Sequence, residues 1–328
     1  MVSGARVKEP AMNVGIANME SCLALVITLL LSACSHKDIE CPFAADREVH
    51  VNFMWDNAPG ASPEGMTVYF FPESKGGAIW RFDIAGASGG PVQLPVGSYR
   101  MLACNNDLRG VRLVDTNDFG TLAAQARTTT DDIAVTSGML YGATVPHVEV
   151  TLCGVIYTSA SGEHKECGKS VIRCSPDSLA TEFRVIVKNV NGIERVKSAE
   201  ALVRSVNTRM VVSSAMPSGA EAALSVPMEV GRAQATMEGD ACGFLPVGSR
   251  QYWLTVRIAR SDGKMFTKDI DITDRVNNLN GRRRVIIIID GIDIPEDDIP
   301  SNPDDVGGIA VGVDGWNVVE IDLESNCV

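Results

Sequence analysis

The segment GASGG at Gly86–Gly90 fits the pattern G-x-S-x-G, with Ser88 in the position of a nucleophile. That chemistry requires a strand, a sharp turn and a helix, with an acid and a histidine later in the chain to take the hydroxyl proton. Here Pro91 and an apolar strand follow, and only His147 and His164 lie downstream. A glycine-rich loop between strands is therefore expected. His50 falls on the polar face of its strand and His36 lies far upstream. No P-loop, dinucleotide fingerprint or H-E-x-x-H occurs. In HKECGKSVIRC, His164, Cys167 and Cys174 do not have the tight C-x₂-C spacing of zinc sites. The acidic run PEDDIPSNPDD (Pro295–Asp305) lacks the D-x-D-x-D-G loop and distal Glu that hold calcium, and reads as a solvated linker. The expectation is a protein that is not an enzyme, with no cofactor, no metal and no small-molecule substrate.

The sharper chemistry lies near the start. A largely apolar run from Cys22 to Leu31 ends in Leu31-Ser32-Ala33-Cys34. The run is too short for a permanent membrane helix and suits the core of a signal peptide. L-S-A-C resembles a bacterial lipobox: cleavage would fall between Ala33 and Cys34, and the Cys34 thiol would take the lipid. The charges before the run balance (Arg6, Lys8, Glu9, Glu20) where signal peptides favour a positive excess. Ser35, not Asp, follows the cysteine, which resembles lipoproteins sorted to the outer membrane. Lys37, Asp38 and Glu40 resemble a charged tether for surface display. Each acyl chain adds about 0.8 kcal/mol per buried methylene, so two or three hold a protein on a membrane durably.

The remaining cysteines are Cys41, Cys104, Cys153, Cys167, Cys174, Cys242 and Cys327. This is an odd set, so at least one stays unpaired, and Cys167 and Cys174 are close enough for a bridge across a hairpin. With 29 Lys plus Arg against 41 Asp plus Glu, the net charge of −12 repels phosphate backbones and argues against nucleic acid. The basic run Arg282–Arg284 leads into the apolar VIIII, where charge deters edge pairing.

The elements that must carry these residues are strands. REVHVNFMW alternates Val49, Val51, Phe53 and Trp55 against His50, Asn52 and Met54, and EFRVIVKNV alternates Phe183, Val185 and Val187 against Arg184, Ile186 and Lys188. MTVYFFP, YRMLACNND, HVEVTLCGVIY, RQYWLTVRIAR and RRVIIIIDGIDI are further strand segments, broken by Gly, Pro, Asn and Asp. Asn191-Gly192 signals a hairpin. Short helices are expected around Leu122–Ala126 and as an alternative within IERVKSAEALVRS. Beyond the acidic linker, NVVEIDL alternates Val319, Ile321 and Leu323 with polar neighbours, and would complete its own domain or add to a partner's edge.

The pentapeptide LPVGS occurs at Leu94–Ser98 and again at Leu245–Ser249, each time ahead of a β segment with a tyrosine, Tyr99 or Tyr252. Pro fixes φ and lacks a donor, and Gly permits a bend, so both copies suit the start of a strand. A duplicated domain is the favoured reading.

This L-P-x-G-x-Y pattern resembles strands of transthyretin-like β-sandwiches in exported bacterial proteins. With the lipobox, two β-domains and the tail GWNVVEIDL, the chain resembles the fimbrial anchor (FimB/Mfa-type) lipoproteins of anaerobic Gram-negative commensals. The resemblance implies an all-β fold of two tandem transthyretin-like (Greek-key) sandwiches after a lipoprotein signal peptide. The expected division is a signal peptide over 1–33, a lipidated tether over 34–46, sandwiches over 47–150 and 151–294, and the linker with the terminal strand over 295–328. It also implies an outer-membrane, surface-exposed pilus anchor or accessory subunit, held through acyl chains on Cys34 and contacting fimbrillin-like subunits. The alternative is a glycan-binding surface lipoprotein, which would need an exposed platform drawn from Trp55, Trp80, Trp253 and Trp316.

Overall fold

Val49, Val51 and Phe53 are buried and His50 is exposed, as the period-two pattern of their segment requires. The structure is a computed structural model that describes residues 46–135, 138–159, 162–167, 170–279 and 283–295. Strand β1 (Asp46–Phe53) lies between two neighbours in a three-stranded sheet. It runs antiparallel to β4 (Gly89–Pro95) and parallel to β12 (Val171–Cys174). The facing sheet has the order β11 (Gly162–Cys167), β10 (Gly154–Ser159), β9 (Tyr141–Thr151), β5 (Gly97–Asn105), β2 (Gly65–Pro72), β3 (Trp80–Ala85), and β13 (Asp177–Ser178) adds to β9. Val150 and Thr151 both lie inside β9, and the strands from Gly154 to Ser178 stay with these first two sheets. The sheet partners change over between Ser178 and Thr181.

The second sandwich repeats the plan. Strand β14 (Thr181–Asn191) lies between antiparallel β17 (Thr236–Gly243) and parallel β20 (Arg284–Asp293). Facing it are β15 (Val196–Val211), β18 (Trp253–Arg260) and β19 (Met265–Asp271). Strand β16 (Met216–Gly231) pairs with β15 along most of its length and reaches β17 at Glu229–Gly231. The Asn191-Gly192 turn does not close a hairpin: Gly192, at φ 81°, starts a single 3₁₀ turn that carries the chain to β15 in the other sheet. Ile193–Arg195 is that turn, and the expected helix beyond it is strand β15. A five-residue helix, α1 (Thr273–Asn277), follows β19.

In each sandwich the first strand is flanked by a late antiparallel strand and the last parallel strand. LPVGS sits at the same crossing both times, linking β4 to β5 and β17 to β18. The first copy forms a tyrosine corner. Pro95 ends β4, Gly97 begins β5, and the Tyr99 hydroxyl donates to the Pro95 carbonyl at 3.0 Å. A β-carbon on Gly97 would stand 3.3 Å from that hydroxyl, so the ring closes over the glycine. One such bond is worth about 1 kcal/mol. The second copy is an open loop with Gly248 at φ 87°. Its tyrosine comes later, and Tyr252 is tied through its backbone N–H to the Thr273 hydroxyl at 2.9 Å.

Between β5 and β9 the chain leaves the first sandwich. Strands β6 (Val111–Val114), β7 (Ala123–Thr128) and β8 (Ile133–Val135) join the second one, β7 against the end of β15 and β8 parallel to β16. The expected helix at Leu122–Ala126 is thus mostly strand β7. Its alanines favour a helix in isolation, but pairing with β6 and β15 overrides so weak a preference.

The apolar residues form three cores. One fills the first sandwich around Val51, Phe70 and Met101, and one fills the second around Phe183, Val256 and Ile287. The third lies on the back of the first sandwich, where Tyr69, Phe71, Leu102 and Cys104 meet Leu122, Met210, Val212 and Phe244. Strands β2 and β5 are therefore covered on both faces, which is why they read as near-continuous apolar runs.

Candidate functional site

Ala33 and Cys34 lie outside the described residues, as do the acidic linker, the terminal strand segment and Trp316. Residues 86–88 form a bend between β3 and β4, where the Ser88 carbonyl accepts from the Phe53 N–H at 3.3 Å. A strand, and not a helix, leaves that bend. The histidines have local partners. His147 Nδ1 lies 3.2 Å from Glu73 Oε1, and His164 stacks on Tyr157 with its Nε2 2.8 Å from the Ser159 hydroxyl. Among the described residues no group of three His, Cys, Asp or Glu side chains is placed to hold a metal ion.

Cys104, Cys174 and Cys242 are buried free thiols. The expected Cys167–Cys174 bridge is not formed. Strands β11 and β12 belong to opposite sheets, and the Cys174 thiol points at the Asn52 carbonyl, 3.9 Å away. Burial pushes the Cys104 and Cys174 thiols up to about 12. Cys242 is also raised to about 12, by burial first and then by Glu182 and Asp240. Cys153 is exposed in the turn between β9 and β10. Since the thiolate is the nucleophile, iodoacetamide at pH 8 is expected to label Cys153 in the native protein and the three buried thiols only after denaturation. Peptide mass spectrometry reads the pattern, and native labelling of Cys104 would contradict the burial described above.

The described tryptophans do not gather on one sandwich. Trp55 and Trp80 pack against the first core, with the Trp55 indole N–H donating to the Ala87 carbonyl at 2.7 Å. Trp253 is more open, on β18 of the second sandwich. The sequence pointed to tryptophans for a binding surface, whereas the larger concavity lies elsewhere. A groove of about 650 Å³ runs over the outer face of β2 and β5, walled by β3 and by β6 with its following loop. Tyr69 and Asn105 form part of its floor, and Arg81 and Arg112 line its sides. In sequence, Tyr69 is one aromatic within VYFF and carries no mark that separates it from core. A second cleft, of about 390 Å³, lies between β8, β15 and β16. Its charges are matched by ion pairs, including Arg257 with Glu200 at 3.8 Å and Arg250 with Glu221.

Two β-sandwiches joined by a third core, with no assembled catalytic or metal constellation among the described residues, define a class of all-β architecture shared with solved bacterial surface proteins. A crystal structure of a candidate adhesin from Bacteroides ovatus aligns at 15% identity over 81% of this chain and 98% of that one, with a TM-score of 0.58, which shows a common fold. The fimbrial anchor protein Mfa2 from Porphyromonas gingivalis aligns at 17% identity over 75% and 91% of the two chains, with a TM-score of 0.46. A protein of Bacteroides thetaiotaomicron described as a candidate polysaccharide-binding protein aligns at 14% identity over 74% and 90%, with a TM-score of 0.48. No curated protein matches the chain. Residues 33–229 match the family described as a domain of unknown function, DUF5119, and the chain belongs to that family. Among the described residues no helix is long and apolar enough to cross a membrane.

Proposed function

We propose that the protein is a lipid-anchored fimbrial anchor or accessory subunit on the outer face of the cell, working through protein–protein contacts and not through catalysis. The observation that carries this reading is the proximity of the L-S-A-C sequence to a continuous β structure. Only a short tether, residues 34–45, separates Cys34 from β1. Processing before Cys34 would leave acyl chains at one end of a two-sandwich stalk, with the far end free to meet a subunit of a polymer. The third core supports a load-bearing role, because a pull on one sandwich reaches the other through packed side chains and not through a loose linker. The division proposed is signal peptide 1–33, tether 34–46, two sandwiches and a C-terminal extension from 295. The fold shared with the candidate adhesin supports placing the chain at the cell surface.

The test is Cys34→Ala. The wild-type protein is expected to take up radiolabelled palmitate and to sediment with the outer membrane. The variant is expected to lose the label and to appear in the soluble fraction. Retention of the variant on the membrane would remove the anchor from the reading. Crosslinking on intact cells then separates the partners: recovery of a β-rich fimbrial subunit supports the function, and recovery of glycan-uptake components alone would overturn it.

A further inference from the structure

The groove on the outer face of β2 and β5 contains a polar group that its surroundings do not satisfy. Tyr69 is only 4% exposed, its ring stacks on Phe71 at 6.0 Å, and the Arg81 guanidinium lies 5.9 Å from its ring centroid. Its hydroxyl reaches the groove but makes no hydrogen bond to any described residue. Phenol groups this deeply buried normally find a partner. By contrast, Asn105 beside it is fully engaged: its amide donates to Asp107 and to the Met139 carbonyl, and its oxygen accepts from the Tyr141 N–H. The missing partner is thus specific to Tyr69 and not a general looseness of the floor.

Charge and shape narrow what the partner is. The protein carries a net charge of −12, yet the groove is lined by two arginines and by no aspartate or glutamate. Arg81 is held by Asp83 at 3.1 Å, while Arg112, exposed on β6, has no ion pair or hydrogen bond to a described residue. That leaves one uncompensated guanidinium and one phenol donor facing the same space, which suits a carboxylate. Between them the walls are aliphatic, formed by Ile79, Leu108, Val111 and Leu113, and would leave the hydroxyls of a sugar unsatisfied. Asn106 donates its amide to the Thr67 hydroxyl at 3.3 Å, so its carbonyl oxygen remains to accept an N–H.

We infer that this groove binds an apolar peptide segment of a partner protein through a carboxylate, held between Arg112 and the Tyr69 hydroxyl. Aliphatic side chains of the segment pack on Ile79, Leu108 and Leu113, and a main-chain N–H donates to Asn106. The volume lies within the range of sites that enclose a few residues of ligand. The inference goes beyond the anchor reading and stands or falls independently of Cys34.

The probe is fluorescein-labelled Leu-Val-Leu with a free C-terminal carboxylate, compared with its C-terminal amide, titrated with the full-length protein and read by fluorescence anisotropy. The carboxylate form is expected to bind at least about tenfold more tightly, and Arg112→Ala and Tyr69→Phe are each expected to weaken it by about tenfold. Tyr69→Phe keeps the ring and its stacking, and Arg112 is exposed, so neither change threatens folding. Arg184→Ala, far along the chain on β14, is expected to leave binding unchanged. Equal binding of acid and amide, no effect of either groove substitution, or no anisotropy change up to about 1 mM protein would overturn the proposal. Displacement of the peptide by a glucuronate oligomer at lower concentration than by unlabelled peptide would overturn it in favour of a glycan site.

Discussion

Gly89→Ala is expected to destabilise the protein by about 3–5 kcal/mol, enough to unfold much of it near physiological temperature. Two costs combine at this position. Gly89 has φ 101°, a conformation that a β-carbon opposes. A β-carbon there would also lie 1.9 Å from the Val51 carbonyl oxygen and 2.9 Å from its carbon. Those atoms belong to β1, which is pinned by β4 on one side and β12 on the other, so the clash is with backbone that cannot swing away. Gly86, three residues earlier, separates the two costs. It has φ 76° and open space, with nothing within 4 Å of the point a β-carbon would occupy, so Gly86→Ala is expected to cost only the conformational part, about 1–2 kcal/mol. Urea unfolding followed by tryptophan fluorescence measures both. Equal losses for the two variants would show that close approach of β4 to β1 is not what fixes glycine in GASGG.

That comparison also assigns the only serine-nucleophile pattern in the chain to architecture. Its glycines let one strand lie against another, and Ser88 contributes a carbonyl to Phe53. Much of this was legible from residue types. The alternation in REVHVNF and EFRVIVK placed Val51 and Val185 on the inner faces, because a half-buried strand shows its period directly. LPVGS marked the same sheet-to-sheet crossing twice, although only the copy with tyrosine four residues after its proline closes a corner. What the pattern could not carry was any feature that depends on a second layer. MTVYFF and MLAC announce burial on both faces without naming what covers the back, and the cover comes from residues 122–124, 210–212 and 244. The alanines of Leu122–Ala126 favour a helix locally, and only long-range pairing with β15 makes them a strand. The groove escaped the sequence for the same reason. Tyr69 looks like one more core aromatic until the opposite wall, supplied by β6 more than forty residues later, leaves its hydroxyl beside Arg112.

Leu102→Asp is the substitution expected to separate the two sandwiches. Leu102 is 1% exposed on β5 and faces the third core, while its neighbours Met101 and Ala103 face the first. A carboxylate at that point has no described cation beside it in the third core and replaces a side chain whose removal alone costs about 2–5 kcal/mol. Adding the penalty for a buried, unpaired charge brings the expected loss to about 4 kcal/mol or more. The loss falls on the contact between sandwiches more than on either interior. The wild-type protein is therefore expected to melt in one calorimetric transition, with matching calorimetric and van't Hoff enthalpies, and the variant in two. Met101→Ala is the control, since it opens a cavity in the first core from the same strand. It is expected to lower the melting temperature without splitting the transition. Two transitions in the wild type, or one in Leu102→Asp, would mean that the third core does not couple the sandwiches. A stalk that transmits load from a membrane anchor to a polymer needs that coupling, so the calorimetry bears directly on the mechanical part of the proposed function.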